Sequence, residues 1–330
     1  MELETNKITL ILFCAVVIAS GCTDNGDSDV VQSNPVTVTD FSPSQDVMPA
    51  DSNMNLEITM ENTGKSDVEH LAARISGPTF ASASDQDTTW RAAGGDNIMV
   101  HRANRTVDMR DISAPGDVGD SVTTTEAISL TTPAYGEGRS TTENFNLDVF
   151  YRYETQASTE LLIMTEEAYL DSDVTSSVPE VDSDPGPIQL EMLETVPKVQ
   201  EEDSGDIGNV DDLCLQVRNE GPGTPFSHGD AHHPDTEEIY NLESDHEDRV
   251  NVTVSNIGDL EFSPGAGETG SQDSDGATVE VELINDEERA CFEWESENLL
   301  EQDEQTTNIE LTTSYGYTVE DQTSVTVEGR

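Results

Sequence analysis

Two ten-residue stretches constrain this chain more than anything else in it: NFNLDVFYRY from Asn144 and NIELTTSYGY from Asn308. Laid over each other without a gap, they place Leu147 on Leu311, Tyr151 on Tyr315 and Tyr153 on Tyr317. The match continues through Thr159 and Thr323, Leu161 and Val325, and Ile163 and Val327. Every one of these positions falls on a period of two, the mark of a strand with one buried face. An earlier pair repeats as well, NLEITMENTG from Asn55 and DLCLQVRNEG from Asp212, each closing on Asn-x-Gly. The offsets, 308 − 144 = 164 and 212 − 55 = 157, fit one duplication with a small net insertion. A third strand, NVTVSNIG from Asn251, ends the same way.

Further short strands are predicted from Val36 to Thr39, Leu71 to Ile75, Ile98 to Val100 and Val107 to Met109. In the first unit Phe145, Leu147 and Val149 alternate, and Leu161 to Ile163 supplies a last strand. No segment sustains a helical period. The fold class expected is therefore all-β, with two tandem β-sandwiches at 35–165 and 188–330. Residues 166–187, EEAYLDSDVTSSVPEVDSDPGP, are acidic and rich in Ser and Pro, and read as a linker between them. The second unit carries an inserted loop, 221–247.

The alternating strand closed by Asn-x-Gly, the turn-rich DISAPGDVGD at Asp111 to Asp120 and the final strand pair resemble immunoglobulin-like modules of the CARDB type. The resemblance covers both units. It implies tandem immunoglobulin-like domains used for adhesion, spacing or protein binding, and no single fixed activity.

The N-terminus speaks to location. Ile8 to Ile18, ITLILFCAVVI, is shorter than the ~20 apolar residues that span a bilayer, but suits a signal-peptide core. Ala19-Ser20-Gly21 and then Cys22 follow, an order that resembles the lipobox of secreted lipoproteins. That resemblance implies a signal peptide over 1–21, a lipid on Cys22, and a mature chain held on the outer face of the membrane. Residues 22–34 then form a flexible polar tether. An ordinary cleaved signal, or an uncleaved anchor, is the other reading of the same run.

Charge narrows the partners. The formal net charge is −55, and Lys7, Lys65 and Lys198 are the only lysines. In dilute buffer such self-repulsion opposes a compact state, whereas molar salt shortens the Debye length to ~3 Å and screens it. The composition resembles that of halophilic archaeal proteins. It is also the signature of disorder, but the regular alternation argues for strands. No basic patch exists for phosphate, so a nucleic-acid partner is excluded. Another surface protein, a glycan or cations fit such a surface.

Cys14 departs with the signal, leaving Cys214 and Cys291 inside predicted strands of an exported chain. They are expected to form a disulfide, with two buried thiols as the alternative. The histidine cluster FSHGDAHHPD offers His228, His232 and His233, with Asp230 and Asp235, as ligands for Zn2+ or Cu2+. Its alternative is a solvated acidic loop. Asn104 and Asn251 head N-glycosylation sequons. Tyr151, Tyr153, Tyr315 and Tyr317 share strand faces in pairs, and packing is favoured over a binding stripe. Asp273-Ser274-Asp275-Gly276 reads as a hairpin turn rather than a calcium loop. Neither a nucleophile elbow nor a metalloprotease or phosphate-loop motif occurs, so no enzymatic activity and no cofactor beyond the lipid are expected. Two functions follow: an adhesion or structural module of the envelope, or a metal- or ligand-binding lipoprotein serving a transporter through 228–235.

Overall fold

The alternation in the sequence becomes strand. The computed structural model describes residues 35–80, 89–92, 98–100, 104–116, 120–200, 212–227, 247–256, 260–296 and 303–330. Its first half comprises β1 (Val36–Pro43), β2 (Val47–Pro49), β3 (Asn53–Asn62), β4 (Glu69–Ser76), β5 (Arg91–Ala92), β6 (Ile98–Val100), β7 (Asn104–Asp108) and β8 (Val122–Thr131). These lead into β9, which runs unbroken from Ser140 to Thr165. A short helix α1 (Glu166–Asp171) follows, its first turn capped by Thr165, whose Oγ1 accepts from the Ala168 N–H. Then come β10 (Val181–Ser183), β11 (Ile188–Met192), β12 (Lys198–Gln200), β13 (Leu213–Asn219) and β14 (Thr224–Phe226). The remainder is β15 (Arg249–Ser255), β16 (Leu260–Pro264), β17 (Thr269–Gln272), β18 (Gly276–Glu282), β19 (Glu287–Ser296) and the long β20 (Glu304–Glu328). The described residues are all-β apart from α1.

Two antiparallel sheets have the orders β1-β3-β8-β5 and β11-β13-β19-β16. The largest sheet runs β6-β7-β4-β9-β20-β15-β18-β17, an order in which each half mirrors the other across β9 and β20. Packing follows the period-two pattern. One face of β3 buries Met54, Leu56, Ile58 and Met60, while β9 buries Phe145, Leu147 and Val149, all within a single apolar core. Each such side chain contributes about 1.5–3 kcal/mol on burial. Trp90 meets Phe145 edge to face at 4.9 Å. Leu213, Leu215 and Val217 of β13 and Ile309 and Leu311 of β20 do the same in the second half.

The long strands depart from the sequence reading. Instead of a final strand pair in each unit there is one unbroken strand, and β9 and β20 pair antiparallel from Ser140↔Glu328 to Met164↔Glu304. A hairpin needs turn residues, and Arg152 to Gln156, RYETQ, holds none. The ladder is centred on Arg152↔Gly316, and 316 − 152 = 164, the offset of the duplication. A local two-fold relating the halves therefore passes through that pair.

Each long strand serves both halves. β4 pairs with β9 up to Arg152, and past that point the same edge of β9 takes β10 and then, in parallel, β12. β20 mirrors this: β15 pairs at Leu311 to Ser314, β14 at Gly316 to Thr318, and β2 joins in parallel at Thr326 to Glu328. The two halves thus exchange their last strands. The stretch expected as a linker, 166–187, carries α1 and also β10, which pairs with Ala157 to Thr159.

Cys214 and Cys291 form a disulfide, directly opposite each other on the adjacent strands β13 and β19. They alternate out of phase with Leu213, Leu215, Ala290 and Phe292, so the bond lies on the face away from the core, where the Arg289 guanidinium donates to both sulfurs. The Gly265 N–H, bonded to the Cys291 carbonyl at 2.9 Å, brings a turn up to the same strand.

Candidate functional site

The junction of the halves is built from the repeated tyrosines. Tyr151, Tyr153, Tyr315 and Tyr317 are all buried. Tyr151 faces Tyr317 with ring centroids 5.8 Å apart, and Tyr153 faces Tyr315 at 6.3 Å. Tilted rings at such distances attract through their quadrupoles. The Tyr315 hydroxyl lies 2.8 Å from Thr155 Oγ1. That of Tyr317 donates to Asn219 Oδ1 (3.0 Å) and accepts from the Gly223 N–H (2.9 Å). Tyr153 accepts from the Ser66 N–H at 3.4 Å. The Tyr151 hydroxyl is buried with no hydrogen-bond partner among the described residues. Burial pushes Tyr151 and Tyr315 well above the usual tyrosine value and Tyr317 up to about 12. These rings plug the core.

The Asn-x-Gly signature anchors the plug. Asn62 Oδ1 accepts from the Gly64 N–H (2.9 Å) and its Nδ2 donates to the Ser66 carbonyl (3.0 Å). Asn219 repeats both bonds, with Gly221 (3.2 Å) and the Gly223 carbonyl (2.9 Å). A Cβ on Gly64 would stand 2.0 Å from the Tyr153 oxygen, and one on Gly221 2.2 Å from that of Tyr317. Glycine is needed there because the tyrosine comes so close. The third copy differs: Asn256 Oδ1 accepts from the Phe262 N–H, and its Nδ2 donates to the Ser274 carbonyl.

Outside the core, the two-fold point is asymmetric. Phe226 lies over Gly316, where a Cβ would come within 2.0 Å of its ring. Phe150 meets Phe226 edge-on at 6.3 Å, and the Arg74 guanidinium sits over Phe150 at 4.9 Å while Nε bonds Asp148 at 2.8 Å. Phe226, paired with Gly316 at the centre of the largest sheet, also bridges Glu247. Beside it a polar cleft of about 340 Å³ is lined by Lys65, Asp67, Glu69, Arg152 and Glu154. Lys65 pairs with Asp184 and Arg152 with Glu69 (3.9 Å). Such a surface can bind; it assembles no nucleophile beside a base.

Cys22, His228, His232 and His233 lie outside the described residues. Among the described residues no three His, Cys, Asp or Glu side chains cluster as metal ligands. Asn104 begins β7, and Asn251 lies mid-strand in β15 between Glu280 and Ser314, half-buried. Asp273 to Gly276 is the turn of the β17–β18 hairpin, where Asp273 Oδ1 accepts from the N–H groups of Asp275 (2.8 Å) and Gly276 (3.1 Å). Sequence reasoning missed Phe226 and Gly316. The clue available was that glycine stands opposite Arg152 between the two matched tyrosines of the repeat.

No protein family and no curated protein matches this chain. Among solved structures, an Enterococcus faecalis MSCRAMM described as binding its ligands by a collagen hug is similar over 88% of this chain and 95% of its own. The identity is 6% and the TM-score 0.17. A collagen adhesin from S. aureus covers 91% of this chain and 94% of its own at 8% identity and a TM-score of 0.10. The similarity is weak, and at these TM-scores it carries no argument about what this chain binds.

Proposed function

We propose that the chain is a non-enzymatic, lipid-anchored protein of the outer cell surface, a structural or protein-binding module adapted to high salt. Its units, 35–165 and 188–330, stand on the tether 22–34 behind a lipid on Cys22. The observation that carries this reading is the Cys214–Cys291 disulfide, a bond that persists in oxidising compartments, in a chain beginning with an export-type apolar run. The charge of −55 rules out nucleic acid and suits contact with another surface protein or a glycan in screened conditions. Sugars on Asn104 and Asn251 are consistent with the same location. The test is intact mass on the membrane fraction of the native host, with and without Cys22→Ser. A mature chain starting at Cys22 with added lipid mass, lost in the variant, supports the anchor; an unlipidated chain refutes it.

A second reading, a metal- or ligand-binding lipoprotein serving a transporter, draws on the Phe226–Glu247 bridge, which pins the base of the loop carrying His228, His232 and His233. It requires saturable Zn2+ or Cu2+ binding that disappears when the three histidines become alanine.

A further inference from the structure

The two-fold makes each half a reference for the other, and it exposes one unmatched place. On β9, the stretch Ala157–Thr159 is covered by β10. Its counterpart on β20, 164 positions later, is Asp321–Thr323. Between Thr318, where β14 pairs, and Thr326, where β2 pairs, no described strand joins the ladder at this edge of β20, although β1 packs close to β20. Burial records the difference. Ala157 and Thr159 are 7% and 3% exposed, whereas Asp321 is open to solvent and Thr323 half so.

The backbone there is poised for a strand. In the covered half the Gln156 carbonyl accepts from the Asp184 N–H at 2.8 Å, so alternate residues 156 and 158 point their N–H and C=O groups toward β10. Their counterparts are Glu320 and Gln322. The Gln322 N–H is taken up by the neighbouring Asp321 carboxylate at 2.7 Å, the local substitute of an edge without a ladder partner. Beside it opens a cleft of about 570 Å³, lined among others by Thr37, Val38, Gly223, Val319 and Asp321.

Charge identifies the occupant. β10 and its flanks bring Glu180, Asp182 and Asp184 against neutral Gln156 and Ala157. On β20 those two positions are Glu320 and Asp321, which repel an acidic strand and favour a basic one. With Lys and Arg numbering 14 against 69 acidic residues, a second copy is a poor source of such a strand. We propose that the β20 edge from Val319 to Val325 accepts an extended, basic segment of a different protein, added antiparallel as β10 is added to β9. The pairing is independent of the lipid on Cys22. Within a surface binding role it names the surface and the chemistry of the partner.

The probe is a labelled peptide of about ten residues, alternating Val and Thr with two central lysines, against the same peptide with aspartates. It is added to the full chain in molar KCl, and binding is read by fluorescence anisotropy and amide hydrogen exchange. The lysine peptide should bind and slow exchange at Gln322 and Ser324. Gln322→Pro removes an N–H that faces away from β9, a substitution edges tolerate, and should weaken binding by about tenfold with the thermal midpoint retained. Glu320→Gln with Asp321→Ala should erase the preference for lysine over aspartate. No binding, binding indifferent to Gln322→Pro, or amides at Gln322 and Ser324 already protected before peptide is added, whether by this chain or by a second copy, would overturn the proposal.

Discussion

The four tyrosines at the junction look equivalent by repeat and by burial, yet their hydroxyls are not, and removing them one at a time separates the cases. Tyr317→Phe deletes the donor to Asn219 Oδ1 and the acceptor of the Gly223 N–H. Asn219 Oδ1 keeps the Gly221 N–H, so the Gly223 N–H bears most of the loss. Leaving a buried group unpaired costs about 1–3 kcal/mol. Tyr151→Phe deletes a buried hydroxyl with no partner, so it removes a desolvation penalty and leaves only a small void. That variant should be neutral or more stable by about 1 kcal/mol. The two variants should therefore differ by about 1–4 kcal/mol, Tyr317→Phe being the weaker. Urea titrations in molar KCl, compared at equal m-value, measure the gap. Equal destabilisation by both variants would refute the reasoning, since Tyr151 would then have a partner as good as that of Tyr317.

Three further outcomes are expected. Because burial holds Tyr151, Tyr315 and Tyr317 above the usual value of 10, an unfolded chain sheds these protons first; stability should be whole below pH 10 and decline from there towards the folded value of about 12 for Tyr317, as pH-dependent melting will read. A protease site inserted between Asp173 and Val174 should allow cleavage without separation, since β9 and β20 hold the halves together; two independent peaks on gel filtration would contradict the strand exchange. Moving the protein from molar KCl to dilute buffer should lower its unfolding midpoint through unscreened repulsion among its excess carboxylates, and a midpoint indifferent to salt would remove the argument for salt adaptation.

Much of this molecule was legible in its residues. Alternation marks β3 and β13 and says which side chains face inward, because a strand puts successive residues on opposite faces. Both cysteines are expected inside strands of an exported chain, and β13 and β19 do set Cys214 opposite Cys291. The duplication could be read without coordinates, since equivalent burial selects equivalent residues. The expectations of an export signal and of no nucleic-acid partner rest on the order of residues and their charge alone.

What those residues could not reveal was which half each strand completes. Period two is the same whether a strand turns back on its own unit or runs on into the other, and the side chains of Tyr151 to Ile163 would alternate either way. That choice rests on pairing between residues far apart in the chain. It is decided by the absence of a turn at Arg152 to Gln156 together with the length of β20 available to match β9. From it follow the four-ring plug, the unlike neighbours of Arg152 and Gly316, and the edge at Asp321 that no described strand pairs. Each arises where two distant segments meet, and only the tertiary structure brings them together.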